Sequence, residues 1–145
     1  MTFTETEPQV KLEELKRIEG KYDIELPPAY IEHMLNYNGG SCTPDVFSFI
    51  EDGQPSESRV HYFLAVNSGD DYDLESCIND LNGDDRVERN LIPIATDPFG
   101  NFILLSCRTV DFGALYFWDH ENEFNENYIP VYLADNLKDF LTNLY

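Results

Sequence analysis

Between Leu91 and Glu121 the sequence LIPIATDPFGNFILLSCRTVDFGALYFWDHE holds three apolar runs, Leu91 to Ala95, Phe102 to Leu105 and Leu115 to Trp118, separated by polar turns. This alternation of runs and turns predicts a three-stranded meander. In the first turn Asp97 is placed to accept bonds from the amides two and three residues on, Pro98 presets its own φ, and Gly100 supplies a left-handed position. Strands this apolar on both faces cannot stand in water. The helical patterns at the two ends of the chain are therefore expected to cover them.

Near the N-terminus, Thr4 to Glu7 read as an acidic helix start with Pro8 in the first turn, where a missing amide is harmless. Leu12, Leu15, Ile18 and Tyr22 then recur at three- and four-residue spacing, which sets one apolar stripe on a helix ending near Gly20 to Tyr22. Ile24 to Pro27 form an extended connector, because the residue before a proline is pushed out of the helical region. Pro28 opens a second helix with Tyr30, Ile31, Met34, Leu35 and Tyr37 on its buried side, and Asn38-Gly39-Gly40 is read as its left-handed stop. Val46 to Ile50 and Val60 to Val66 are strand-like, and both are expected to extend the meander's sheet, with Glu51 to Ser58 as a turn-rich link.

Residues 67–90 hold eight acids against Arg86 and Arg89, and Leu74, Ile78 and Leu81 predict one short helix between Asp-rich loops. The chain closes on a strand within Tyr128 to Ala134 and a last helix, capped by Asn136, with Leu137, Phe140, Leu141 and Leu144 on its buried stripe. The fold class expected is α+β: a single domain spanning residues 1–145, with its core over about 11–144 and a mostly antiparallel sheet against which helices from both chain ends pack.

Charge changes this picture most. The 145 residues carry 28 acids against nine Lys and Arg, a formal net charge of -19, and residues beyond 40 hold 20 of those acids. Such a surface repels phosphate backbones and anionic lipid heads and attracts basic partners, so direct nucleic-acid or membrane binding is not expected. Three widely spaced cysteines, Cys42, Cys77 and Cys107, offer neither a disulfide framework nor a C-x-x-C pair. A reducing, cytoplasmic location follows, consistent with an N-terminal stretch, MTFTETEPQVKLEE, that lacks a cationic start or an apolar run of secretory length.

Candidate chemistry is sparse. No cysteine sits in a nucleophile motif, and Cys77 and Cys107 are placed as small core residues. Asp119-His120-Glu121 looks site-like, but neighbouring strand residues point to opposite faces, so the three do not converge without a bend. Calcium-loop frames opened at Asp71 or Asp119 fail, with Ser76 and Phe124 where glycine is needed. The expectation is a non-catalytic protein without metal or cofactor.

The spacing Ile18-x3-Tyr22-x-Ile24-x-Leu26-Pro27-x2-Tyr30, the Asn38-Gly39-Gly40 stop, Ile94-Ala95-x-Asp97-x2-Gly100-Asn101, the run Tyr116 to Glu121, and Leu133-Ala134-x-Asn136-x3-Phe140-Leu141 together resemble the SUKH superfamily, the Smi/Knr-like domains. That resemblance implies an α+β fold and, for many bacterial members, an immunity protein that binds and neutralises a toxin domain, often a nuclease. Fungal members, which regulate cell-wall synthesis and signalling, make a non-catalytic regulatory scaffold the alternative, and a small-ligand-binding domain is a further one.

Two readings of the charge stand side by side: a solvated surface that aids solubility, and a surface complementary to a basic active-site cleft. On the second, Asp70, Asp71, Asp73, Asp84, Asp85 and Glu88 form the toxin-binding acidic patch, with Asp119, Glu121 and Glu123 as a second patch. Tyr72, Phe99 and Tyr128 are the aromatic anchors, because binding hot spots favour such side chains. The partner expected is a basic toxin domain, and the oligomeric state is left open.

Overall fold

The computed structural model describes residues 1–70 and 72–145. In chain order, strand β1 (Thr2–Thr4) precedes helices α1 (Leu12–Tyr22) and α2 (Pro28–Asn36), which are followed by β2 (Ser41–Thr43) and the hairpin of β3 (Val46–Glu51) and β4 (Gln54–Arg59). A short β5 (Tyr62–Phe63) leads to α3 (Leu74–Leu81) and then to β6 (Leu91–Thr96), β7 (Phe102–Ser106) and β8 (Leu115–Trp118). A 3-10 turn (His120–Asn122), β9 (Val131–Ala134) and α4 (Leu137–Thr142) close the chain.

The predicted meander is the centre of a five-stranded antiparallel sheet ordered β5-β6-β7-β8-β9. All six residues of β6 are buried, as its unbroken apolar run requires. One core joins Leu15 and Ile18 of α1, Tyr30 and Met34 of α2, Leu74 and Ile78 of α3, and Leu137 and Phe140 of α4 to the sheet's Ile92, Ile94, Ile103 and Leu115. This is the α+β class expected, with helices from both chain ends packed into that core. The β3–β4 hairpin adds its aromatic face: Phe47 and Phe49 lie with ring centroids 5.8 and 4.7 Å from Phe117 of β8, and Phe47 also reaches Phe140.

Four local expectations are corrected. The N-terminal residues are extended, not a helix start: Thr2 to Thr4 pair antiparallel with Ser41 to Thr43, and Phe3 stacks on Tyr37 at 4.2 Å. Pairing and burial of one aromatic ring outweigh the acidic helix-start signal, and α1 begins only at Leu12. Val46–Glu51 does not extend the meander's sheet. It pairs with Gln54–Arg59 in a separate two-stranded sheet, turning through Asp52 and Gly53, both at positive φ (52° and 76°). A two-residue Asp-Gly loop with both φ positive matches the right-handed strand twist, so all of the turn-rich link except Asp52 and Gly53 is itself strand. Pro55 is accommodated because β4 has a pairing partner on one side only within that sheet.

From Val60 to Val66, only Tyr62 and Phe63 form a strand of the main sheet. Finally, α2 ends at Asn36, and Asn38 is a buried tether rather than a helix stop. Its Nδ2 donates to the carbonyls of Pro8 and Val66, each at 2.9 Å, while its Oδ1 accepts from the Val66 amide at 2.8 Å.

Candidate functional site

Among the described acids of residues 67–90, Asp70 and Asp73 precede α3, Glu75 and Asp80 lie within it, and Asp84, Asp85 and Glu88 follow it. Asp70 accepts from the Tyr72 amide at 2.8 Å and closes a turn, and Asp73 is the N-cap, accepting from the Ser76 amide at 2.8 Å. Asp84 and Asp85 lie past the other end, exposed, with Asp85 in the left-handed region at φ 58°. Eight helical residues at 1.5 Å each separate the two groups by about 12 Å. Glu88 is exposed and paired with Arg108 at 3.1 Å, and Asp71 falls outside the described residues.

A denser cluster forms where the sequence placed its smaller patch. Asp119 caps the 3-10 turn, accepting from the Glu121 amide at 2.9 Å and from Asn122 Nδ2 at 3.2 Å. Around Asp119 and Glu121 a groove of about 290 Å³ also collects Glu51 and Glu57 of the β3–β4 hairpin and Asp97 of the β6–β7 turn. Five carboxylates thus line one groove that, among the described residues, no Lys or Arg lines. Phe99, 70% exposed, and His120 stand beside them. Glu123 is not part of it. That side chain pairs with Arg86, whose guanidinium lies 5.6 Å from the centroid of the Trp118 ring.

A hydrogen-bond network built on the turn motif holds the groove's shape. Buried Asp97 takes four bonds: Oδ1 from the amides of Phe99 (2.9 Å) and Asn101 (2.8 Å), Oδ2 from Ser58 Oγ (2.9 Å) and Asn101 Nδ2 (2.9 Å). Asn101 Oδ1 then accepts from the His120 amide at 3.1 Å and lies 2.6 Å from His120 Nδ1. One buried carboxylate therefore ties β4, the β6–β7 turn and the 3-10 turn together. Gly100, at φ 88°, serves the same turn, since a left-handed residue there costs glycine nothing.

Electrostatically the groove is strained toward negative potential. One oxygen of Glu51, Oε2, is sealed from solvent without a donor among the described residues. Burial pushes the Glu51 carboxyl up from its ordinary value, and the charges of Asp119 and Asp52 push it the same way. Glu57 is oriented by the Tyr145 hydroxyl, which donates to its Oε2 at 2.7 Å. An approaching ammonium or guanidinium would relieve both the missing donor and the crowding of like charges.

The three aromatic residues singled out in the sequence divide as well. Phe99 borders the groove, Tyr72 is 60% exposed beside the N-terminal end of α3, and Tyr128 is half-buried. The Tyr128 hydroxyl accepts from the Asp119 amide at 2.8 Å and donates to the Phe117 carbonyl at 3.3 Å, so it is a strut behind the groove. The sequence does not single out Glu51 and Glu57 because both fall in the stretch Glu51 to Ser58, which reads as a turn-rich link and not as the second strand of a hairpin. The only local signal for them was the Asp52-Gly53 dipeptide.

Burial pushes the thiol of Cys42 up to about 11 and those of Cys77 and Cys107 up to about 12, which keeps all three protonated at neutral pH. Among the described residues no group of three or more His, Cys, Asp or Glu side chains is arranged to hold a metal ion, and no helix is long and apolar enough to cross a membrane.

A family model described as the SMI1 / KNR4 family (SUKH-1) matches residues 9–143. The chain is also similar to the SPbeta prophage-derived uncharacterized protein YokK of Bacillus subtilis (strain 168), with 31% identity over 125 residues. That alignment covers 75% of this chain and 62% of the relative, so the chain spans less than two thirds of the relative's length.

Proposed function

The chain belongs to the SMI1 / KNR4 family (SUKH-1), and from that premise we propose that it is an immunity protein which binds and neutralises a basic toxin domain, such as a nuclease. The observation that carries this reading is the groove of Glu51, Glu57, Asp97, Asp119 and Glu121, five carboxylates without a lining cation among the described residues, on a chain of net charge -19. A nuclease cleft presents Lys and Arg to phosphates, and rigid carboxylates mimic those phosphates. Long-range attraction then speeds encounter, while Phe99 supplies an apolar contact at the rim. Neutralisation is by occlusion and requires no chemistry from this chain. Free cysteines suit action in the cytoplasm, where such a toxin would meet its target.

The acids flanking α3, Asp70, Asp73, Asp84 and Asp85 with Asp71, steer the partner in this proposal, and Glu51, Glu57 and Glu121 make the close contacts. The test is titration of a small basic toxin domain encoded beside this chain, at several salt concentrations. Glu57→Lys with Glu121→Lys should raise Kd by at least about a hundredfold, since each charge-assisted hydrogen bond across the interface is worth about 1.5–3 kcal/mol. Asp70→Lys with Asp84→Lys should chiefly slow association and flatten its salt dependence. Unchanged affinity in the groove variant would remove the groove from the interface, and a toxin equally active with and without the chain would refute the function.

A further inference from the structure

A second cavity, of about 300 Å³, lies at the C-terminal end of α3, away from the elements that build the acidic groove. Ile78 and Ile92 form its apolar floor with Tyr22 beside them, and exposed Asp85 and Arg89 stand at its rim. Asn82, 7% exposed, also lines it. Its Nδ2 donates both hydrogens, to the carbonyls of Glu88 at 2.9 Å and Leu91 at 2.8 Å, which fixes the orientation of the amide. The Asn82 Oδ1 is then a sealed acceptor without a donor among the described residues. A buried carbonyl oxygen in that state costs free energy until a donor reaches it.

The charges at the rim narrow the choice of donor. Among the described residues, neither Asp85 nor Arg89 has an ion-pair partner within 4.0 Å, although both line the same cavity. A lone cation would meet Arg89, and a lone anion would meet Asp85. A small zwitterion satisfies both, and the volume suits a ligand of that size. Gly83 lets the chain turn this tightly under the helix end, since a methyl group there would sit 2.3 Å from the Asn79 carbonyl oxygen.

We propose that this cavity binds a free α-amino acid, its ammonium donating to Asn82 Oδ1 and the Asp85 carboxylate, its carboxylate accepting from Arg89, and its side chain against Ile78 and Ile92. The proposal is independent of the toxin reading, because none of these residues lines the acidic groove. To test it, each common L-amino acid is titrated into the full chain by calorimetry. At least one should bind saturably below about 10 mM, and its N-acetyl and amide derivatives, which lack the ammonium or the carboxylate, should bind at least about tenfold more weakly. Asp85→Asn, which tolerates the left-handed backbone, and the exposed Arg89→Gln should each cost about tenfold or more in affinity for the unmodified amino acid. The proposal falls if no amino acid saturates, which leaves the cavity to water, or if both variants bind as the parent does.

Discussion

Replacing Asp97 by alanine tests the network that shapes the acidic groove. The substitution strands four donors: the amides of Phe99 and Asn101, Ser58 Oγ and Asn101 Nδ2. Three of those bonds are buried, and only the one from Phe99 is close enough to solvent for water to replace it. At about 1–3 kcal/mol for each buried donor left unpaired, with part recovered by relaxation, the loss should be about 4 kcal/mol. For a domain of this size unfolding in urea at about 2 kcal/mol per molar, the midpoint should drop by about 2 M. Asp97→Asn separates hydrogen bonding from charge. Its oxygen can keep the backbone amides of Phe99 and Asn101, whereas its Nδ2 faces Asn101 Nδ2, another donor, so about half the loss is expected. A loss below about 1 kcal/mol in Asp97→Ala, or equal losses in the two variants, would refute the account of the turn as a hydrogen-bond hub.

Two further outcomes follow from other parts of the fold. Gly39 and Gly53 share a φ near 77°, but a Cβ on Gly39 would sit 2.6 Å from Ala65 Cβ while one on Gly53 meets nothing within 4 Å. Gly53→Ala should therefore cost about 1 kcal/mol and Gly39→Ala about 3 kcal/mol, read as Tm shifts in thermal unfolding, and equal shifts would deny the close approach of Gly39 to Ala65. Glu75 of α3 is held by Arg17 at 2.8 Å and Lys21 at 3.0 Å, and their hydrogen bonds and charges lower its carboxyl from 4.5 to about 2. Because the folded value lies below the unfolded one, the stabilisation is whole above pH 4.5 and is lost as pH falls from there toward 2. The gap in urea midpoint between the parent and Glu75→Gln should thus close on going from about pH 6 to about pH 2, and a gap independent of pH would contradict the pairing.

Much of the fold was legible along the chain, and the reason is the range over which its signals act. The meander of Leu91 to Trp118, the helices Leu12–Tyr22, Pro28–Asn36 and Leu74–Leu81, and the Asn136 cap each depend on residues within a few positions of one another. Periodicity, turn residues and caps are complete at that range. So is the local part of one motif of the family resemblance, the turn that Asp97, Gly100 and Asn101 hold, whereas Asn38 of another motif acts at long range, on Pro8 and Val66. Tertiary structure decided the rest. Thr2–Thr4 became a strand because Ser41–Thr43 offered an edge, and Phe3 found Tyr37. The hairpin of Val46–Glu51 and Gln54–Arg59 packed Phe47 and Phe49 onto Phe117 instead of joining the larger sheet. That packing carries Glu51 and Glu57 to Asp97, Asp119 and Glu121, residues up to 70 positions apart. Like charges do not seek one another, so no pattern along the chain encodes their meeting; it is imposed by aromatic burial elsewhere in the same hairpin.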